Sequence, residues 1–150
     1  MAIKIIDNRH SLIEKCREAG FDALQGDYFE EAVKIPHHVL CTASNPHFTF
    51  GGGIDAAFIR HFPFYCAEKQ KRITTNSGNE RIGNIIFAIS VDFRLQSNEE
   101  LVREALIFAR DHTLAHETLC LCGIGTMIGG LQEEKLLELL IEVFNPLATD

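Results

Sequence analysis

Strand-like apolar runs alternate with helix-like stretches throughout this chain of 150 residues, and two of the strand-to-helix connections are rich in glycine. The alternation predicts an α/β fold with a largely parallel sheet covered by helices on both faces. In such sheets ligands bind at the carboxyl ends of the strands, where the connections diverge. The first glycine connection is Asn45-Pro46-His47-Phe48-Thr49-Phe50-Gly51-Gly52-Gly53-Ile54-Asp55, and the second is Gly123-Ile124-Gly125-Thr126-Met127-Ile128-Gly129-Gly130. Each aims backbone N–H groups and a helix N-terminus at one point, which suits an anion. Two such loops in one small domain suggest a ligand with two phosphates, or one pyrophosphate held from both sides.

The length fits one domain spanning residues 1–150. Ile3 to Ile6 reads as a strand, followed by a helix from about Ser11 to Ala19, with Ser11 and Glu14 placed as a capping box and Gly20 as the stop. Strands are expected at Phe21–Gln25, Val39–Ala43, Ile85–Val91 and Thr118–Cys122. Helices are expected at Ile54–Phe62, behind a capping box at Ser97–Glu100, and along the Leu136–Phe144 stripe. Pro63 lies just past the end of its helix, and Thr74–Glu80 reads as a loop.

Several function classes fall away. The net charge is −7 and the densest basic run is only Lys69-Gln70-Lys71-Arg72, which argues against nucleic acid as a partner. No stretch is apolar enough to span a membrane, and the N-terminal run is too short for a signal peptide. The five cysteines are odd in number, and three lie inside strand-like runs, so a reducing, cytoplasmic setting is expected rather than a disulfide framework. Cys120-Leu121-Cys122 lacks zinc-ligand spacing, and neither metal nor cofactor is expected. The second loop is not G-x-G-x-x-G and has no P-loop lysine, nor is it a G-x-S-x-G elbow. His37, His38 and His61 have no motif around them and read as solvated or satisfied side chains.

The candidate polar groups each carry two readings. Asp55 is either an ordinary first-turn acid or a carboxylate that orients a water beside a bound phosphate or ribose. Asn45, before Pro46, is a turn initiator or a partner for a sugar hydroxyl. Asp27, after Gly26, is a turn acid or an acceptor for an exocyclic amine.

Together these pieces resemble a macrodomain, the ADP-ribose-binding module. Gly26-Asp27-Tyr28 resembles the family's Gly-Asp-Ile element, and Thr42-Ala43-Ser44-Asn45 its Asn-Ala-Ala-Asn element. Gly51-Gly52-Gly53-Ile54-Asp55 resembles the Gly-Gly-Gly-Val-Asp loop, and Gly125-Thr126-Met127-Ile128-Gly129-Gly130 the Ser-Thr-Gly-Ile-aromatic-Gly loop. The resemblance implies a three-layer α/β/α sandwich with a mixed, mostly parallel central sheet. It places Asp27 at the adenine amine, Asn45 at the distal ribose, and Gly51, Gly52, Gly53 and Ile54 on the diphosphate, with Tyr28 and Ala43 also among the ligand-binding residues. Gly123, Ile124, Gly125, Thr126, Met127, Ile128, Gly129 and Gly130 would complete the diphosphate grip. It implies ADP-ribose or an ADP-ribosylated protein as partner. Asn45 and Asp55 match the pair that positions water in the hydrolytic branch, which removes ADP-ribose from acidic side chains or deacetylates O-acetyl-ADP-ribose; the alternative is a non-catalytic binding module. Thr42, Met127 and Gly129 depart from the family pattern, and Gln132-Glu133-Glu134 reads as a charged helix start.

Overall fold

A computed structural model of the protein describes residues 1–126 and 129–146, so Met127 and Ile128 lie outside the described residues. Among the described residues the chain runs β1 (Ala2–Asp7), α1 (His10–Glu18), β2 (Asp22–Gln25), α2 (Tyr28–Ala32), β3 (His38–Cys41), α3 (Gly53–His61) and α4 (Pro63–Lys71). It continues through β4 (Glu80–Ile82), β5 (Ile85–Phe87), α5 (Glu99–Asp111), β6 (Thr118–Leu121) and α6 (Glu133–Phe144). The strands form one sheet in the order β2-β1-β6-β3-β5-β4. All neighbours are parallel except β4, which pairs antiparallel with β5 at the edge.

Successive strand residues serve opposite faces, as the pleat requires. Ile5, Val39, Cys41, Ile86, Leu119 and Leu121 pack with α1, α5 and α6 through Leu12, Leu106 and Leu140. Ile6, Leu40, Ile85, Phe87 and Cys120 pack on the other face with Phe29 of α2, Phe58 of α3 and Cys66 of α4. Both faces of every central strand are therefore covered, which is why these strands read as unbroken apolar runs.

Helix boundaries depart from the sequence expectation at several points. Arg9, not Ser11, is the N-cap of α1 and makes no side-chain cap; Ser11 lies in the first turn, and its hydroxyl donates to Glu133 at 2.9 Å. Asn98 caps α5 by accepting the Leu101 N–H. Pro63 occupies the first turn of a further helix, α4, where its missing N–H costs nothing. The β4 strand takes the chain from the expected loop into a hairpin with β5.

Candidate functional site

The carboxyl ends of β2, β1, β6, β3 and β5 open into one cleft of about 880 Å³. That volume is at the top of the range for a small-molecule site. Four inter-strand spacings make it roughly 19 Å from the β2 end to the β5 end. The order of strands thus sets the order of groups along the cleft: Asp27 after β2, Asp7 and Arg9 at β1, Gly123 after β6, Asn45 after β3, Ser90 after β5.

Tyr28 makes the opening. Its hydroxyl accepts the Cys41 N–H at 2.9 Å and donates to the Cys120 carbonyl at 2.6 Å. The hydroxyl thereby bridges the rung that follows the last β3–β6 pair, Leu40 with Cys120. Beyond it β6 runs into the second glycine loop, while β3 extends toward β5 through the Ser44–Ile89 bridge. Tyr28 is buried, and its polar atom is committed to the sheet.

The first glycine loop is held from below by two aromatic side chains in an unfavourable backbone conformation. Phe48 and Phe50 are both left-handed (φ 50° and 53°) and both buried, packing around Phe87. Left-handed backbone costs about 1–2 kcal/mol per residue; burying a phenylalanine returns about 1.5–3 kcal/mol. The loop is fixed by its own core contacts. Gly51, Gly52, Gly53 and Ile54 line the cleft, with Gly52 as the N-cap of α3. A side chain at Gly52 would meet nothing within 4 Å, and only Gly53 of the three has positive φ, at 59°.

The second loop is packed rather than open. An added Cβ on Gly123 would lie 1.9 Å from Arg9 Nη2, and one on Gly129 would lie 2.6 Å from Ser97 Cβ. Gly123, Gly125 and Gly129 line the cleft. Ile124 is buried in the core with α5 and α6. The Thr126 hydroxyl donates back to the Gly123 carbonyl at 2.6 Å. Gly130 is exposed, with φ of 75°, and stands apart from the cleft lining.

Sequence reasoning missed the Asp7–Arg9 pair. The Asp7 carboxylate accepts Arg9 Nε at 2.9 Å, Arg9 Nη2 at 3.1 Å and the Gly123 N–H at 2.9 Å. Burial works against its charge, but the Arg9 and Gly123 hydrogen bonds prevail and hold the carboxyl below its usual range. Asp7 ends a strand at the carboxyl edge, and that position was the available signal. Ser90, buried at the cleft floor, was missed as well; its hydroxyl has no hydrogen-bond partner among the described residues.

Asp27 is exposed and caps α2, accepting the Glu30 N–H through Oδ1 at 2.9 Å. Ala43 lines the cleft beside Asn45. The Asn45 amide is spent inside its own loop, donating to Thr49 Oγ1 at 2.8 Å and accepting the His47 N–H at 3.0 Å. Asp55 is 6% exposed in the first turn of α3 and accepts the Ser44 hydroxyl at 3.0 Å. Burial pushes its carboxyl up to about 7, against the opposing pull of the Ser44 hydroxyl and the Ala43 backbone. A carboxyl of that kind exchanges its proton near neutrality.

No protein-family model and no curated protein sequence matches the chain. Solved structures do. The macrodomain of Mycobacterium tuberculosis DarG superposes with a TM-score of 0.68 at 19% identity, covering 83% of this chain and 89% of that one. The fold is that of a macrodomain. A protein of unknown function from Bacteroides thetaiotaomicron matches with the same TM-score at 14% identity, over 95% of this chain and 91% of that one. The macrodomain fold accounts for the mostly parallel six-stranded sheet with helices on both faces. Among the described residues no helix is long and apolar enough to cross a membrane.

Proposed function

We propose that this macrodomain-fold protein binds ADP-ribose, free or attached to a protein. The observation that carries the reading is the linear order of groups along one cleft. Asp27 stands at one end with an oxygen suited to the adenine amine. The two glycine loops face the middle, where a diphosphate would take backbone N–H groups and the α3 N-terminus. Asn45 and Asp55 stand toward the far end, where the second ribose would lie. Arg9 is the cation beside the diphosphate position, and Asp7 fixes its direction. The five free cysteines fit a cytoplasmic setting.

Hydrolysis is a second reading, favoured by the buried Asp55 carboxyl that titrates near neutrality. In it, Asp55 takes a proton from a water that attacks the anomeric carbon as the carboxylate of a modified acidic side chain departs with the bonding pair. The engagement of the Asn45 amide with Thr49 and His47 favours the binding module instead.

Calorimetry with ADP-ribose, ADP and AMP tests the first reading. ADP-ribose is expected to bind more tightly than ADP, and equal affinity would remove the far-end assignment. Release of ADP-ribose from a glutamate-modified protein, lost in Asp55→Ala, would establish hydrolysis.

A further inference from the structure

Behind Asp55 lies a chain of buried hydroxyls that the glycine loops do not need. Thr42 and Ser44 are both wholly buried in the extension of β3. Ser44 Oγ lies 3.0 Å from Asp55 Oδ1 and 2.8 Å from Thr42 Oγ1. Thr42 Oγ1 accepts the Ala88 N–H at 3.0 Å and lies 3.4 Å from the Ala88 carbonyl. The titratable groups that face Asp55 are Cys41 from β3 and Cys66 from α4, whose thiols burial pushes up to about 12. Both are neutral, so no cation among them steadies the carboxylate.

We propose that Ser44 and Thr42 are positioning residues for Asp55, forming a hydroxyl relay that reverses direction as the carboxyl gains or loses its proton. With Asp55 ionised, Ser44 donates to Oδ1 and Thr42 donates to Ser44. With Asp55 protonated, the new proton sits on Oδ1 and is donated to Ser44, Ser44 turns its own proton to Thr42, and Thr42 turns to the Ala88 carbonyl. Each hydroxyl keeps its proton and only rotates, since a hydroxyl both donates and accepts. Thr42 accepts the Ala88 N–H in both states. Neither state leaves a buried group unpaired, which would otherwise cost about 1–3 kcal/mol. A simple anchor between α3 and β3 would need one direction only.

The relay has a consequence at the anion loop, and this step rests on the ADP-ribose reading. Asp55 sits in the first turn of the helix whose N-terminus would face the diphosphate. Two anions in a low-dielectric cleft repel. A carboxyl free to take up a proton removes that repulsion, so ligand binding near neutral pH draws a proton from solvent onto Asp55.

Isotope-labelled aspartate carboxyl resonances, followed in the full chain from about pH 5 to about pH 9, test the relay. Wild type is expected to show one aspartate titrating near neutrality. Ser44→Ala is expected to move that midpoint upward by about one pH unit, because the bond lost by the ionised carboxylate is stronger than the one lost by the protonated carboxyl. Ser44→Thr, which keeps the hydroxyl, should hold it at the wild-type value, and Thr42→Val, which leaves the Ser44 proton without its Thr42 acceptor only when Asp55 is protonated, should move it downward. A midpoint unchanged or raised in Thr42→Val would overturn the relay and leave Ser44 a one-directional anchor. Calorimetry with ADP-ribose at neutral pH, in two buffers of different ionisation enthalpy, should show fractional proton uptake that Asp55→Asn abolishes. Binding without uptake overturns the coupling. Absence of binding overturns the ADP-ribose reading and leaves the carboxyl titration to decide the relay.

Discussion

The Tyr28 hydroxyl donates to the Cys120 carbonyl at 2.6 Å, at the point where β3 and β6 part. The same oxygen accepts the Cys41 N–H. A fold-defining pair of strands and the mouth of a cleft are thus joined through one side-chain atom. Tyr28 lines the cleft, as expected of a ligand-binding residue, while its polar atom is committed to the sheet.

Tyr28→Phe keeps the aromatic packing with Phe29 and Phe58 but leaves the Cys41 N–H and the Cys120 carbonyl buried without their partner. Each such group costs about 1–3 kcal/mol. Urea unfolding should show a loss in that range or above, with the denaturant slope unchanged. A loss within experimental error would mean that the strands close on each other when the hydroxyl is absent.

Gly52→Glu is expected to abolish ADP-ribose binding while leaving the melting temperature within a few degrees of wild type. The backbone at Gly52 is extended, with φ of −162°, and a side chain there meets nothing within 4 Å. The substitution therefore tests charge and occupancy at the α3 N-terminus and little else. Calorimetry beside a thermal melt checks it, and unaltered affinity would take the diphosphate away from this loop.

Asp55 and Glu117 should give opposite slopes of stability against pH. The Glu117 carboxyl is lowered from 4.5 to about 2, chiefly by its bidentate pair with Arg81, with burial opposing and the Leu114 N–H assisting. Its contribution is fully present above the unfolded value and is lost as pH falls through the folded one. Asp55 is raised by burial from 3.8 to about 7, so the folded state holds a proton that the unfolded state has released. Stability then falls as pH rises between those values. Asp55→Asn should accordingly stabilise the protein above neutrality, by no more than about 4 kcal/mol, and change little near pH 4. Chemical denaturation at the two pH values checks the sign, and equal effects would contradict a protonated Asp55.

Much of this architecture was legible from residue pattern, because buried parallel strands are continuous apolar runs and their carboxyl ends are where ligands bind. The two glycine loops could be singled out for that reason, whereas position left Asp27, Asn45 and Asp55 with two readings each and only the resemblance to a macrodomain gave them ligand roles. Other features were not local enough to read. Phe48 and Phe50 are left-handed because tertiary packing overrides their backbone preference, and nothing in the sequence around them marks it. The Asp7–Arg9 pair acquires its meaning from the Gly123 N–H, more than a hundred positions away. In place of the Ser11–Glu14 box, Ser11 donates to Glu133, which lies 122 residues from it. Such contacts belong to the fold rather than to any window of sequence.

Gly129 shows the same limit at the site itself. Compared with the family pattern, this glycine stands where an aromatic is usual, as though a side chain had been lost. In the structure there is no room for one: a Cβ would lie 2.6 Å from Ser97 Cβ, 2.8 Å from the Gly125 carbonyl oxygen and 2.9 Å from Val91 Cγ1. The Gly129 carbonyl also accepts the Ser97 N–H at 2.9 Å, tying the loop to the segment ahead of α5. One of the three obstacles is backbone, so the strain cannot be relieved by a side-chain rotation alone. Gly129→Ala is therefore expected to cost about 1–3 kcal/mol, the usual range for overpacking, and to weaken ADP-ribose binding by displacing the loop. Gly130→Ala, next in the chain, meets nothing within 4 Å but carries φ of 75°, so only the smaller backbone cost of about 1–2 kcal/mol applies. Urea midpoints of the two variants, with calorimetry on each, separate packing from backbone. A Gly129→Ala protein as stable and as tight-binding as wild type would show that the loop repacks freely.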